Sequence, residues 1–344
     1  MKYKVVLCGC GAMAKGWLRA VQSTPELKDA LQIVGLVDLN ADVAQALATE
    51  FGLSGAVIGT DLPSVLEETQ ADILFDVVIP AARHSVVTTA LAHGCHVLSE
   101  KPMANSMEEA ADLIQAAAKA GKIHSVVQNR RFISGVRRMR RLVDSGVIGD
   151  ITAVHCDFFI GPHFGGFREQ MDNVLLLDMA IHTFDAARYV SGKTPLSVYC
   201  LETNPPGSWY AHGACANAVF RFSDDVVFTY RGSWCAEGER TSWESAWRIV
   251  GTKGMLTWDG EETFKASVVG QENGLLRGFQ PVEVPAPLKP EETHGHASVL
   301  ADFLEAIRTG RAPETAGEDN IRSLAMVFGA IESARSGNSV ELAA

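Results

Sequence analysis

The fold is decided by residues 5–14, which read VVLCGCGAMA. An apolar run typical of a strand leads into a turn with two glycines, and a helical pattern begins directly after it. In this context Gly9 permits a tight turn, Gly11 lets the backbone approach a pyrophosphate, and Ala14 is small enough for close helix–strand packing. The stretch therefore predicts a dinucleotide-binding βαβ unit.

The helix after the turn begins at Ala12, and Met13 is its second residue. Its free backbone amides and its dipole favour an anion, so we assign both residues, together with the three small residues of the turn, to the cofactor site. A glycine-rich turn without a ligand is the alternative for this motif alone.

Asp38 ends the second predicted strand, at residues 32–38. A carboxylate at this position accepts hydrogen bonds from the ribose hydroxyls of adenosine and repels a 2′-phosphate. The following Leu39 and Asn40 offer no guanidinium for such a phosphate. We therefore predict NAD rather than NADP as the cofactor. A turn aspartate at the strand end is the alternative interpretation.

Pro80 and His84 come at and after the end of the strand predicted at 73–80. Ligands bind outside the carboxyl ends of strands in such sheets, so we assign both residues to the cofactor site. Capping of the next helix is an equal alternative for His84.

Lys101 follows the strand predicted at 96–100, and Pro102 restricts its backbone to extended conformations. A lysine at a strand end is often a surface residue. The context Glu100-Lys101-Pro102 within a nucleotide-binding fold favours a catalytic role, in which the ammonium group holds the reacting oxygen and stabilises developing negative charge.

Asp178 and His182 are four residues apart in the apolar run 174–182. If this run is helical, both side chains project from one face. A carboxylate in apolar surroundings is unfavourable unless it is paired or functional, and a pair satisfied within the core is the structural alternative. The functional hypothesis makes His182 the base that removes a hydroxyl proton, with Asp178 orienting the imidazole or binding a neighbouring hydroxyl.

Composition excludes several classes of protein. The length of 344 residues favours two domains. The formal net charge of -11 argues against nucleic-acid and membrane partners. We expect no secretory signal before the first strand. The seven cysteines contain no C-x-x-C pair, so we also expect reduced thiols and a cytoplasmic location. His294-Gly295-His296 lacks a third ligand at a suitable spacing, and no metal is expected.

The chain changes character after about residue 124. Short apolar runs alternate with helices up to that point, with strands predicted at 4–8, 32–38, 73–80, 96–100 and 124–128 and helices at 12–23, 41–51, 85–92 and 107–120. Longer alternating runs follow, at 151–160, 197–202, 215–222, 226–234, 243–251 and 255–258. We predict an α/β protein: a doubly wound parallel-sheet Rossmann domain (1–124) and an α+β domain with a large, open, mainly antiparallel sheet (125–344).

The glycine turn, Glu100-Lys101-Pro102 and the Asp178/His182 pair together resemble the glucose–fructose oxidoreductase / inositol dehydrogenase / MocA family. Residues 127–132 (VQNRRF) also resemble the family's strand entering the second domain. We assign Glu100, Lys101 and Asn129, which lie in these matching stretches, to the cofactor site. The resemblance implies that Lys101, Asp178 and His182 form a catalytic triad, that the substrate is a polyol or sugar, and that the protein is a homodimer or homotetramer.

These motifs do not set substrate choice. The candidate substrate-binding residues, besides the triad, are Arg131, His155, Phe158, His163, Arg168, Asn173 and Trp234. Arg131 belongs to a cluster of six arginines that is either a solvated helix face or partly directed at the ligand. The fork of Arg168 either binds an anionic or hydroxyl-rich substrate or pairs with Glu169 or Asp172 at the surface.

Two rival functions share these features. One is a redox-assisted glycosidase, in which oxidation of a sugar allows elimination of a glycosidic substituent and the hydride is later returned. The other is a non-catalytic NAD-binding regulator, against which the retained Lys101, Asp178 and His182 argue.

Overall fold

The computed structural model describes residues 2–271 and 275–342. They form two compact units, the first bounded by Met1–Asn129 and His294–Ile321 and the second by Arg130–Thr293 and Arg322–Ala344. Each unit thus contains two separate stretches of chain. The single division predicted between residues 124 and 125 differs from this arrangement most clearly in the segment 294–321.

A parallel sheet forms the centre of the first unit. Within the described residues its six strands are β1 (Tyr3–Cys8), β2 (Leu31–Val37), β3 (Val57–Gly59), β4 (Ile73–Asp76), β5 (His96–Ser99) and β6 (His124–Val126). Their order in the sheet is β3-β2-β1-β4-β5-β6, which reverses direction between β1 and β4. Doubly wound sheets bind ligands at this switch point, outside the carboxyl ends of the strands. The predicted Rossmann fold is confirmed.

Helices accompany these strands along the chain. They are α1 (Ala12–Ser23), α2 (Pro25–Ala30), α3 (Ala41–Glu50), α4 (Leu62–Thr69), α5 (Pro80–Ala92) and α6 (Met107–Ala120). The bounds of α6 follow from its caps: the Ser106 hydroxyl accepts the Glu109 amide at 3.1 Å, and Gly121 enters the left-handed region at a φ of 61°.

The strand predicted at 73–80 ends early. β4 stops at Asp76, and Pro80 is the first residue of α5. Proline fits this position because the first helical residue needs no amide donor and its φ is already set. The short elements α2, β3 and α4 were also not predicted.

The second unit is dominated by one mixed sheet. Its strands are β7 (Ile151–Phe159), β8 (Pro195–Thr203), β9 (Cys215–Phe222), β10 (Val227–Ser233), β11 (Ala246–Gly251), β12 (Gly254–Trp258), β13 (Phe264–Val269), β14 (Phe279–Val282) and β15 (Val340–Glu341). The order is β14-β13-β12-β11-β7-β10-β9-β8-β15, with β7 and β10 parallel and the other neighbours antiparallel. The predicted mainly antiparallel sheet is confirmed.

Two helices of this unit, α7 (Ser134–Asp144) and α8 (Ile181–Ser191), pack against each other. Phe184 of α8 meets the sheet edge-to-face, with ring centroids 4.8 Å from Phe220 and 5.2 Å from Tyr230. These aromatic contacts form the centre of its core and fix α8 on the sheet.

Residues 294–321 belong to the first unit because of specific contacts. α9 (Gly295–Thr309) packs against α1 and α2. Beyond it, the Thr315 carbonyl accepts the Val126 amide at 3.0 Å and the Ser125 hydroxyl at 2.9 Å, beside β6. The bound of the unit at Ile321 falls within α10 (Gly317–Ser336).

In the part of the chain that the structure describes, no helix has both the length and the apolar character needed to cross a membrane.

Candidate active site

The glycine turn joins β1 to α1. Gly9 has a φ of 93°, and a Cβ on it would lie 2.6 Å from the carbonyl carbon of Val77, so only glycine fits without movement of the backbone. A Cβ on Gly11, the residue before α1, would meet nothing within 4 Å. Open space above amides at the start of a helix fits the pyrophosphate of a dinucleotide.

Asp38 lies directly after β2 and supports this turn. Its Oδ2 accepts the Cys10 amide at 2.8 Å, and its Oδ1 accepts the Asn40 amide at 3.0 Å. The side chain is half-buried. The carboxylate therefore lies beside the glycine turn, where an acidic residue suits a ribose.

A buried network that the sequence did not reveal supports the loop after β4. Asp76 and Arg83 are both almost fully buried, with Nε donating to Oδ2 at 2.8 Å. Arg83 also donates to the carbonyl of Val78 at 2.7 Å and to that of Pro102. Burial raises the pKa of Asp76, and Arg83 opposes the rise. The network connects Pro102, the residue after Lys101, to β4. The sequence signal for it was Asp76, because an acid at the end of an apolar strand requires a partner.

Glu100 is directed into the first unit. Its Oε1 accepts the Trp17 indole N–H at 2.8 Å, and its Oε2 accepts the Lys101 amide at 3.1 Å. The His296 Nε2 lies 3.6 Å from Oε1, and the Asn129 amide is 3.3 Å from the other ring nitrogen. Burial would raise the pKa of Glu100, but hydrogen bonds from His296 and Trp17 outweigh it and lower the pKa. Through these contacts Glu100 supports the backbone at Lys101 and Asn129 contacts His296, and the assignment of both residues to the cofactor stays a prediction.

Pro80 and His84 both lie in the first turns of α5. The His84 Nε2 is 2.6 Å from a carboxylate oxygen of Asp112 on α6. The imidazole therefore joins two helices of the first unit. The alternative that His84 caps the helix is wrong.

Asp178 lies in the second unit on a π-helical segment, Leu175–Ala180, which leads directly into α8. Such segments are rare and frequent at functional sites. The Arg168 Nε donates to Asp178 Oδ2 at 2.9 Å, so the arginine pairs with neither Glu169 nor Asp172, the partners considered from sequence. His182 is half-buried in the first turn of α8 and borders a small cleft lined also by Trp243 and Glu244.

Arg131 forms a buried ion pair with Asp185. Its Nε and Nη2 donate to the two carboxylate oxygens of Asp185 at 2.6 and 2.7 Å, and the arginine is 5% exposed. The Ser323 hydroxyl also donates to Asp185 at 2.7 Å. This bidentate buried pair engages the arginine fork within the second unit, and the assignment of Arg131 to the substrate stays a prediction.

The other substrate candidates occupy different environments. Phe158 and Trp234 are buried and pack against each other, with centroids 5.4 Å apart. His163 is exposed, stacks on Trp209 and pairs with Glu237 at 2.9 Å. His155 contacts Thr229 on the sheet, and Asn173 donates to Glu202. Among the described residues, no group of three or more His, Cys, Asp or Glu side chains is placed to hold a metal ion.

Both halves of the chain match models of one family. Residues 3–128 match the oxidoreductase family with an NAD-binding Rossmann fold, and residues 136–257 match the GFO/IDH/MocA C-terminal domain. The chain belongs to the GFO/IDH/MocA family of oxidoreductases. The predicted resemblance is thereby confirmed, and so is NAD as the cofactor.

Individual relatives agree with this membership. The chain is 25% identical over 343 residues to 1,5-anhydro-D-fructose reductase of Ensifer adhaerens, covering 98% of this chain and 97% of the relative. It is 32% identical over 195 residues to D-glucoside 3-dehydrogenase of Escherichia coli strain K12, covering 55% and 54%. The solved complex of levoglucosan dehydrogenase with NADH and levoglucosan shares the fold, with a TM-score of 0.83 and 20% identity across 100% of both chains.

Proposed function

We propose that the protein oxidises a secondary hydroxyl of a sugar, a sugar derivative or a cyclitol and transfers the hydride to NAD. The observation that carries the proposal is the half-buried Asp178, held by Arg168 on a π-helical segment four residues before His182. The names of the relatives, which are a sugar-derivative reductase and a glucoside dehydrogenase, support a carbohydrate substrate.

Each polar residue has a role in this chemistry. Bound NAD supplies the hydride acceptor, and the residues of the glycine turn and Asp38 would hold it. His182 takes the hydroxyl proton, because an imidazole is a common base in such reactions. Lys101 stabilises negative charge that develops on the oxygen. Asp178 orients the imidazole or accepts a hydrogen bond from an adjacent hydroxyl.

The test is a screen of sugars, sugar acids and inositols for NAD reduction, followed through NADH absorbance. His182→Ala and Lys101→Ala should each lower turnover by about 100- to 10,000-fold, while calorimetry finds NAD affinity nearly unchanged. Lys119→Met, which alters an exposed lysine of α6, is the matched control and should retain full turnover. Near wild-type turnover in either alanine variant would contradict the assigned roles.

The same screen separates the rival functions if glycosides are included. A redox-assisted glycosidase releases the aglycone without accumulation of NADH, because the hydride returns to the product. A regulator binds NAD tightly and turns over none of the compounds.

We also propose a homodimer or homotetramer that associates through the outer face of the mixed sheet of the second unit. A concavity of about 990 Å³ lies on this face, and it is lined by exposed apolar side chains that include Tyr199, Leu201 and Val219. Val219→Asp should shift the mass measured by light scattering towards the monomer, whereas Val43→Asp on α3 should not. An unchanged mass for Val219→Asp would exclude this face.

A further inference from the structure

The pair of Arg168 and Asp178 places a hydrogen-bond donor beside an acceptor. The Arg168 Nε to Asp178 Oδ2 distance is 2.9 Å, and the two side chains are 32% and 16% exposed. Within residues 2–271 and 275–342, this is the one hydrogen bond found for the Arg168 side chain, so both Nη groups keep their donors for a ligand.

The surrounding loop holds the guanidinium in place. Gly165 and Gly166 have φ values of 65° and 68°, and this turn leads into a 3-10 helix that carries Arg168. The guanidinium carbon lies 5.0 Å from the ring centroids of both Phe164 and Phe167. These cation–π contacts restrict the arginine before any ligand binds, which lowers the entropy lost on binding.

Two exposed rings, Phe164 and Trp243, extend an apolar surface from the pair. The Phe164 centroid is 6.4 Å from that of Trp243 and 5.9 Å from that of the buried Trp234. A sugar or cyclitol ring has one edge of hydroxyls and a face of C–H groups. The polar pair beside an aromatic surface matches both.

The charge at this point favours a neutral ligand over a carboxylate. Asp178 neutralises Arg168 at short range, and the same stretch of chain carries Glu169 and Asp172. A neutral diol satisfies both members of the pair, since one hydroxyl accepts from the guanidinium while its neighbour donates to the carboxylate.

We propose that Arg168 is a specificity-determining residue that, together with Asp178, binds two hydroxyls on adjacent carbons and so selects substrates with a vicinal diol. This proposal rests on the function proposed above. It makes Arg168 a direct donor to substrate and the residue that holds Asp178 in position.

The experiment compares diols with matched analogues that lack one hydroxyl. Glucose, methyl glucoside and myo-inositol are assayed beside their monodeoxy analogues, with the wild type, Arg168→Gln, Arg168→Lys and the surface control Arg335→Gln. The wild type should prefer the diol by about 10- to 100-fold in kcat/KM, the usual value of a hydrogen bond to a charged group. Arg168→Gln should lose most of this preference, mainly through KM, and Arg168→Lys should retain part of it because it keeps the charge without the fork.

The ratio of kcat/KM for a diol to kcat/KM for its deoxy analogue distinguishes substrate recognition by Arg168 from a purely structural role. If Arg168 only stabilised the loop, Arg168→Gln would lower kcat/KM equally for diol and deoxy compound, and the unchanged ratio would overturn the proposal. Equilibrium binding of the same compounds to the NAD-saturated wild type gives a second ratio that does not depend on turnover, and equal affinities for diol and deoxy compound would also overturn it. Absence of oxidation despite diol-selective binding would refute the proposed function alone.

Discussion

Alanine at two glycines of one turn should separate folding from cofactor binding. At Gly9, a Cβ would lie 2.6 Å from both the carbonyl carbon and the oxygen of Val77, and the φ of 93° is unfavourable for alanine. At Gly11, φ is −70° and a Cβ meets no atom within 4 Å. The two substitutions add the same methyl group two residues apart, so each is the control for the other.

Gly9→Ala should lower the free energy of unfolding, whereas Gly11→Ala should lower NAD affinity. Backbone strain of about 1–3 kcal/mol at Gly9, together with displacement of Val77, should lower the free energy of unfolding by about 2–4 kcal/mol. Gly11→Ala should change it by less than about 0.5 kcal/mol, because no contact is lost or strained. Its methyl group fills the space that the pyrophosphate requires, so NAD affinity should fall at least about tenfold, or about 1.4 kcal/mol.

Urea unfolding followed by circular dichroism, without NAD, measures the first quantity, and calorimetric titration with NAD measures the second. Wild-type NAD affinity in Gly11→Ala would show that this turn does not bind the pyrophosphate. Wild-type stability in Gly9→Ala would refute the argument from φ and the Val77 contact.

Three further predictions concern buried or half-buried polar residues. Asp38→Ser should raise KM for NAD far more than for NADP in steady-state assays, because the repulsion of a 2′-phosphate is removed while a ribose contact is lost; equal changes would show that Asp38 does not contact the ribose. Arg83→Gln should lower the free energy of unfolding by about 3–5 kcal/mol, since it leaves the buried Asp76 unpaired, and adding Asp76→Asn should restore part of the loss in the same denaturation assay. Burial, and secondarily Arg83, lowers the pKa of His124 from its ordinary 6.5 to about 3. The stability that the neutral imidazole contributes is therefore complete above pH 6.5. It is lost as the pH falls towards 3, by up to about 1.4 kcal/mol per pH unit. His124→Gln should therefore show a flatter decline of stability in acid, and an identical decline would disprove the role of this imidazole.

Local signals in the sequence predicted the parts of the protein that depend on local backbone. The glycine turn, the Asp38 position and the bounds of α1 and α6 follow from residue types within a few positions of each other. The alternation of strands and helices likewise predicted the Rossmann fold, and the longer alternating runs predicted the second sheet.

The partners of long polar side chains could not be predicted in this way. Arg131 was assigned to the substrate, but the fold brings it to Asp185, more than fifty positions along the chain. For Arg168 the sequence left open a substrate or the nearby Glu169 or Asp172 as partner, whereas its Nε donates to Asp178. Several acids lie within reach of each arginine along the sequence, and only the tertiary path of the backbone selects one of them.

The return of residues 294–321 to the first unit has a consequence for synthesis on the ribosome. Strands β1 to β6 of the parallel sheet emerge early. Thr315, whose carbonyl accepts the Val126 amide of β6, is translated only after strands β7 to β14 of the mixed sheet. Until α9 emerges, the apolar surfaces of α1 and α2 that it covers stay open to chaperones and to neighbouring nascent chains. A chain interrupted before His294 would carry the complete glycine turn and still lack the segment that closes its hydrophobic core.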